Sequence, residues 1–270
     1  MRLDLFGRIV SLESRKLMSY RVDFWLNVLV SFATQLAVAY FLWLAIFDYT
    51  GAETLGGFTF EGMVLYYVLA ILLGRLVRGQ ERDLAVAQDI YQGTLTKFLL
   101  YPSDYFGFKY AAHLGDLVPG LIQLLLFGAV SLIVLELPPD LGITPATVVM
   151  AAVLVAVANL LTFLLRFTIM LIAFWADNVW SLNVMLRFSS ELLGGLMLPL
   201  SLFPEWARAA LAWTPFPYLF YVPVMTLLGE VPPSEWLRAV AVAAVWSAAM
   251  AGIALAVWRR GTLSYTGVGI

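Results

Sequence analysis

The chain has 270 residues, of which 62% are hydrophobic and only 13% are charged, and its formal net charge is -2. This composition excludes a soluble domain of this size, because such a domain needs more charged and polar residues to cover its exterior. The chain contains no cysteine and a single histidine. These counts exclude a disulfide framework, a cysteine nucleophile and a metal site built on two histidines of one chain.

The Lys and Arg residues are distributed unequally between the two sets of loops. If each apolar segment crosses a membrane, successive loops lie on alternate sides. Of the 16 Lys and Arg residues, 14 then fall on one side, and only Arg208 and Arg238 fall on the other. Lys and Arg close to membrane spans remain cytoplasmic. The sequence therefore predicts a multi-pass membrane protein with both termini in the cytoplasm. The Arg-rich inner loops, together with the absence of eukaryotic targeting signals, indicate a bacterial or archaeal plasma membrane. Because the positive charge forms no stripe, nucleic acid is not an expected ligand.

The predicted fold is all-α, with one transmembrane domain over residues 1–270. Residues 1–21 alternate apolar and charged side chains, which predicts an amphipathic helix lying in the cytoplasmic interface. Six apolar segments are long enough to cross about 30 Å of hydrocarbon at about 1.5 Å per residue. The predicted spans are residues 24–47, 58–77, 117–135, 145–175, 179–203 and 239–258.

Residues 78–116 form the longest predicted cytoplasmic segment. Apolar residues recur here at three- and four-residue steps, which is typical of helices. Pro102 is expected to end one helix, and Ser103 or Asp104 to cap the next. A tight external turn is predicted at residues 136–140.

Residues 196–228 are apolar but contain five prolines. Proline lacks the backbone donor that a helix needs, and irregular backbone at membrane depth is tolerated only where protein or water covers it. The pattern predicts short broken or re-entrant helices on the external side.

No constellation of catalytic residues is evident, so catalysis, a metal and a bound cofactor are not expected. The chain has no G-x-x-x-x-G-K-[ST] loop, so any ATP must be bound by another polypeptide. His113 is interpreted as an interfacial structural residue. A membrane enzyme acting on lipids is disfavoured, because no carboxylates cluster within the apolar spans.

Residues 89–100 are the most informative cytoplasmic stretch. Its apolar residues are expected to face the bilayer boundary while Asp89, Gln92, Thr96 and Lys97 face the cytoplasm, which suits a helix that a partner protein pushes. An ordinary interfacial helix explains the same pattern equally well.

The order of these elements resembles a known family. The run Asp89-x-x-x-Gly93-x-Leu95-x-x-x-Leu99-x-x-Pro102 lies between the second and third spans, and an amphipathic N-terminal helix precedes six spans. Residues 194–206 and 215–218 are similar to a fifth span with an external hairpin. Together these features resemble the membrane subunit of type-2 ATP-binding-cassette exporters.

The resemblance implies an exporter that works as a pair of permease chains, identical or related, with separate nucleotide-binding ATPase subunits. It implies a coupling helix at residues 89–100, docking into the ATPase, and alternating access within membrane lipids. The short external loops, without a large soluble domain, favour a hydrophobic or amphipathic substrate. The residues expected to couple to the ATPase are Asp89, Tyr91, Gln92, Gly93, Leu95 and Lys97.

Charged residues within the fifth span are candidates for the translocation path, because an ionisable group in a span usually faces a partner or water. Arg187 and Glu191 are four residues apart, so a structural pair between them is geometrically available, and direct contact with substrate is the alternative. Arg166 is expected to reach the interface or to meet Asp177. If Arg187 and Glu191 belong to an ion-coupled site instead, the chain is an ATPase-independent secondary transporter or channel.

Overall fold

The computed structural model describes residues 3–19, 21–79, 84–100, 104–134 and 142–266, and every regular element within these ranges is a helix. This confirms the all-α prediction. The α-helices in the described ranges are α1 Leu3–Ser19, α2 Arg21–Thr50, α3 Phe60–Arg78, α4 Ala85–Tyr91, α5 Leu95–Leu100, α6 Tyr105–Leu114, α7 Leu117–Val134, α8 Pro145–Met170, α9 Trp180–Leu193, α10 Glu205–Leu211, α11 Tyr221–Leu227 and α12 Pro233–Ser264. Short 3-10 helices cover Leu171–Phe174, Leu200–Leu202 and Phe216–Tyr218.

Five helical stretches in the described residues are long and apolar enough to cross a membrane. They are Asp23–Thr50, Phe60–Arg78, Tyr105–Ser131, Pro145–Phe174 and Pro233–Ser264. They correspond to the first four and the last of the predicted spans. The third stretch is longer than predicted, because α6 leads almost directly into α7. Asp104 caps the start of α6, where its side chain accepts a hydrogen bond from the Gly107 amide at 2.9 Å. Pro102, Ser103 and the predicted turn at 136–140 lie outside the described residues.

The fifth predicted span, residues 179–203, is wrong as a continuous helix. α9 ends at Leu193 after 14 residues, a length of about 21 Å that falls short of the hydrocarbon core. Gly194 and Gly195 follow, and Gly195 has a φ of 88°, a conformation that glycine adopts readily and that ends the helix. The chain then continues through Pro199 to a single 3-10 turn and α10.

α3 is the central helix. It packs against α2, α7, α8 and α11, and every side chain from Met63 to Val77 except Arg75 is buried. A helix that is apolar on all sides is stable only when neighbours cover it completely. The neighbouring helices therefore cover α3 on all sides.

Two tyrosines of α3 satisfy the backbone where α9 ends. The Tyr66 hydroxyl donates to the Gly195 carbonyl at 2.6 Å, and the Tyr67 hydroxyl donates to the Met197 carbonyl at 2.8 Å. The Gly194 carbonyl accepts from the Tyr221 amide at 2.9 Å. A buried carbonyl without a donor costs about 1–3 kcal/mol, so these bonds allow irregular backbone within an apolar core.

One end of the bundle holds α1, α4, α5, the start of α9 and the end of α12; we call it the basic end. At this end α1 forms as the helix that the sequence predicts for the N-terminal residues, and it packs on α6. The Ser14 hydroxyl donates to the Gly115 carbonyl at 2.7 Å, and a side chain on Gly115 would come within 2.6 Å of the Glu13 Cβ. Glycine at this position therefore permits the close contact. At the opposite end, Gly142 lies against Gly229.

Candidate functional site: a surface unit and a charged cluster at the basic end

The predicted coupling helix, residues 89–100, is two helices rather than one. α4 ends at Tyr91, α5 begins at Leu95, and Gly93 between them has a φ of 70°. A left-handed residue cannot continue an α-helix, and glycine takes this conformation at little cost. We call α4, the turn and α5 together the α4–α5 unit.

The inner face of the α4–α5 unit is anchored in the protein core. Val86, Ala87, Ile90 and Leu95 are buried, and Leu95 is completely inaccessible. They pack with apolar side chains from α8, the 3-10 helix Leu171–Phe174 and α12. Leu95 was predicted to couple to a partner, but its position makes it an anchor to the rest of this chain.

Asp89 does not face outward, and this part of the sequence prediction is wrong. Its Oδ2 lies 2.6 Å from the Lys109 ammonium and accepts a hydrogen bond from the Tyr105 hydroxyl at 2.7 Å. Its Oδ1 accepts from Thr94 at 3.1 Å. The Asp89 side chain is only 17% exposed. Asp89 thus fixes the turn of the α4–α5 unit to α6, and its partners lie 5, 16 and 20 residues away in sequence.

Lys109 is held from several sides. Besides Asp89, its ammonium lies 5.4 Å from the ring centres of both Phe98 and Tyr105. Cation–π contacts of this kind contribute about 0.5–2 kcal/mol each. The arrangement joins α5 and α6 into one rigid piece.

Two hydroxyl contacts tie the α4–α5 unit to neighbouring segments. The Tyr91 hydroxyl donates to the Ala176 carbonyl at 2.9 Å, in the segment between the 3-10 helix Leu171–Phe174 and α9. Burial raises the pKa of Tyr91, so the hydroxyl keeps its proton and remains a donor. Thr96 and Tyr265 place their hydroxyls 3.2 Å apart, linking α5 to the residue that follows α12.

The outer face of the α4–α5 unit is exposed. Gln92 and Lys97 are exposed as predicted, and Leu99 and Leu100 are exposed large apolar side chains. Thr96 is half-buried rather than fully outward. Two polar side chains and two large apolar side chains of the unit are therefore accessible from outside this chain.

The second group of functional interest is centred on Glu191 in α9. The predicted pair is present, with the Arg187 Nε 3.7 Å from the Glu191 Oε1. A closer partner lies on α3, where the Arg78 Nη1 is 2.6 Å from the same oxygen. The Arg78 guanidinium also lies 5.9 Å from the ring centre of Phe220. The cluster therefore connects α3, α9 and the residue that precedes α11.

Arg78 was missed by sequence reasoning, which compared Glu191 only with residues on its own helix. The signal that could have found it is the need of a carboxylate in an apolar span for a cationic partner, together with Arg78 at the end of a neighbouring span. Arg166, expected at the interface or beside Asp177, lines the same pocket as Arg78 and Glu191. Within the described ranges, no group of three His, Cys, Asp or Glu side chains could hold a metal ion.

A family model described as ABC-2 family transporter protein matches residues 33–269. The chain belongs to the ABC-2 transporter family. The matched range contains both the α4–α5 unit and the charged cluster, while α1 precedes it. No match was found among curated proteins or among solved structures. The protein is thus a membrane transporter protein of the ABC-2 family, as the resemblance of its sequence implies.

Proposed function

We propose that this ABC-2 family protein is the permease subunit of an export system, in which two permease chains enclose a path and separate ATPase subunits bind at the α4–α5 unit. The observation that carries the proposal is that the α4–α5 unit, in a chain of this family, has one face buried in the protein and one face exposed. Its inner face is buried against α8 and α12, while Gln92, Lys97 and the Leu99–Leu100 patch are exposed.

This construction suits the transmission of motion. Close-packed apolar side chains transmit displacement because few voids absorb it. A push on the outer face passes through Ile90 and Leu95 to the end of α8, and through Tyr91 to the segment before α9. The ATPase thereby acts on α9, the helix that carries Glu191. Gly93 supports this role by setting the turn, and Asp89 by fixing it to α6.

The orientation follows from the charge distribution. The basic end carries most of the Lys and Arg residues, so we place it, with both termini, in the cytoplasm of a bacterial or archaeal plasma membrane. The proline-rich residues 196–228 then form a re-entrant region that enters from the external side. α9 and this region line the path for a hydrophobic or amphipathic substrate, and Glu191 and Arg187 lie on it.

The test is capture of candidate ATPases from the same source in mild detergent. We compare the wild type with the double variant Gln92→Ala, Lys97→Ala, which alters only exposed side chains. Arg208→Ala, an exposed change on α10, is the control. We expect the double variant to lose capture while it keeps the thermal stability of the wild type, and the control to retain capture.

Two results would refute the proposal. One is equal capture by the wild type and the double variant at saturating and limiting ATPase concentrations. The other is transport by the purified chain in liposomes without any ATPase, which would favour a secondary transporter or channel.

A further inference from the structure

We propose that a cavity between α6, α8 and α12, towards the basic end, binds an organic cation, namely an ammonium group joined to an apolar body. The lining combines one carboxylate with aromatic and apolar side chains, and it includes Asp104, Phe106, Phe167, Ala251, Leu255 and Trp258. This inference goes beyond the proposed function, because none of the lining residues belongs to the α4–α5 unit and the ligand needs no ATPase in order to bind.

The cavity has room for a small organic molecule. Pockets that hold such ligands have volumes of about 300–1,000 Å³. This cavity, at about 310 Å³, lies at the lower end of that range. Asp104, Ala251 and Leu255 are exposed, so a ligand can enter from outside the chain. Phe167 is buried and closes the inner wall.

The lining of the cavity carries a negative charge. Among the described residues that line it, Asp104 is the only charged one. Its Oδ2 accepts a hydrogen bond from the Gly107 amide at 2.9 Å, and within the described ranges it forms no ion pair. The carboxylate therefore keeps its charge available for a ligand, and opposite charges attract more strongly in a partly desolvated site than in water.

The described cations of the same three helices do not line this cavity. Lys109 of α6 is held by the contacts with Asp89 and two aromatic rings given above. Arg166 of α8 lines other pockets. Arg259 and Arg260 of α12 are exposed and are absent from the lining. The charge of the lining is thus that of one carboxylate, which favours a cation over an anion.

Aromatic side chains from three helices line the same space. Phe106 belongs to α6, Phe167 to α8 and Trp258 to α12. The rings of Phe106 and Phe167 are nearly perpendicular, at 85°, with centroids 5.4 Å apart. Aromatic rings attract cations through the negative charge of their faces, and several rings around one space are a common way to bind a quaternary ammonium group. The rings and the carboxylate therefore favour the same class of ligand.

The charged and apolar parts of the lining lie at different depths. Tyr105 stacks on Trp258 with ring centroids 5.1 Å apart, so Asp104, the residue before Tyr105, is close to the level of Trp258. Ala251 precedes Trp258 by two helical turns, about 10 Å further towards the middle of the apolar stretch Pro233–Ser264. An ammonium group fits beside Asp104 while its apolar body extends towards Ala251. A bare inorganic cation would leave the apolar part of the lining without a counterpart.

The experiment measures equilibrium binding of radiolabelled benzyltriethylammonium to the purified chain in dodecyl maltoside, an uncharged detergent, without an ATPase. Benzenesulfonate carries a ring with the opposite charge, and tetramethylammonium carries the charge without a ring. Dihexanoylphosphatidylcholine identifies the source of the ammonium group. If it displaces the probe, the natural ligand is a choline lipid, and if it does not, the ligand is a free organic cation; both results support an ammonium site.

The main variant is Asp104→Asn, which removes the charge and keeps the helix cap. Asparagine caps helices as well as aspartate does, so the bond from the Gly107 amide persists and Tm should stay close to that of the wild type. Binding of benzyltriethylammonium should weaken about tenfold. Asp177→Asn is the control, because it removes the same charge from an exposed residue that precedes α9 at the same end, and it should leave binding unchanged.

A second variant, Ala251→Phe, fills the cavity from an exposed position on α12 and should abolish binding. It keeps the test decisive if Asp104→Asn does not fold. Size-exclusion chromatography and circular dichroism verify that each variant is folded.

A carboxylate that serves only as a helix cap gives a different result, in which Asp104→Asn binds the probe as tightly as the wild type does. That outcome would overturn the proposal, and so would equal affinity for benzenesulfonate or for tetramethylammonium. Unchanged binding by Ala251→Phe would place the probe elsewhere and would overturn it as well. Because no ATPase is present, failure of ATPase capture would refute the proposed function separately from this site.

Discussion

Asp89 provides the sharpest test of the structure of the α4–α5 unit, because the sequence and the structure assign it different roles. If Asp89 contacts an ATPase, its replacement weakens capture and leaves the chain's own stability unchanged. If Asp89 fixes the turn to α6, its replacement lowers stability first. The structure supports the second role, with contacts to Lys109 at 2.6 Å, Tyr105 at 2.7 Å and Thr94 at 3.1 Å.

The magnitudes follow from those contacts. In Asp89→Asn, the amide can turn its oxygen towards Tyr105 and Lys109, so the hydrogen bonds persist and only their charge assistance is lost, at about 1–2 kcal/mol. Asp89→Ala removes every acceptor beside a Lys109 side chain that is only 14% exposed. Breaking a buried pair from one side costs about 3 kcal/mol or more.

Thermal unfolding in detergent measures these losses. For chains of this size, about 1 kcal/mol corresponds to a shift in Tm of roughly 2–4 °C. We therefore expect Asp89→Asn to lower Tm by about 2–8 °C and Asp89→Ala by on the order of 10 °C. Lys109→Met together with Asp89→Ala should cost less than the sum of the single changes, since the two residues interact directly. An unchanged Tm for Asp89→Ala, combined with lost ATPase capture, would refute the inward role of this carboxylate.

Two further changes test the packing around the central helices. Tyr66→Phe should lower the free energy of unfolding by about 1–3 kcal/mol, because it leaves the buried Gly195 carbonyl without a donor. Tyr67→Phe should lower it less, because Tyr67 is slightly more exposed. An equal Tm for Tyr66→Phe and the wild type would contradict this account. Gly261→Ala should destabilise the chain by about 1–3 kcal/mol, because the added methyl group would overlap the Phe174 ring. Gly252→Ala, on the same helix, is the control. Its methyl group meets open space, so this variant should leave Tm unchanged or raise it. Equal Tm values for the two alanine variants would disprove the close contact of α12 with that ring.

The two groups of charged residues differ from the sequence prediction for the same physical reason. Periodicity identified Glu191 with Arg187, because residues four apart share a helix face. It could not identify Arg78, which lies 113 residues away from Glu191 in the chain. Likewise, the polarity of Asp89 suggested an outward position, while its actual partners on α6 become neighbours only when the helices pack.

Several properties of this protein were determined by the sequence alone. Composition, the lengths of the apolar segments and the placement of Lys and Arg depend on local chemistry and on the surrounding solvent, so they predicted an all-α membrane protein and its long helices without knowledge of contacts. The loose motif around Gly93 indicated the family for the same reason: order along the chain is a property of the sequence.

Only the tertiary structure decided where the helices break and which charges meet. α9 ends at Leu193 rather than at residue 203, because the carbonyls beyond it are satisfied by Tyr66 and Tyr67 from another helix. A glycine pair permits a helix to end, but the distant donors make that ending stable within an apolar core. The free energy of such contacts depends on groups far apart in sequence, and no local pattern records them.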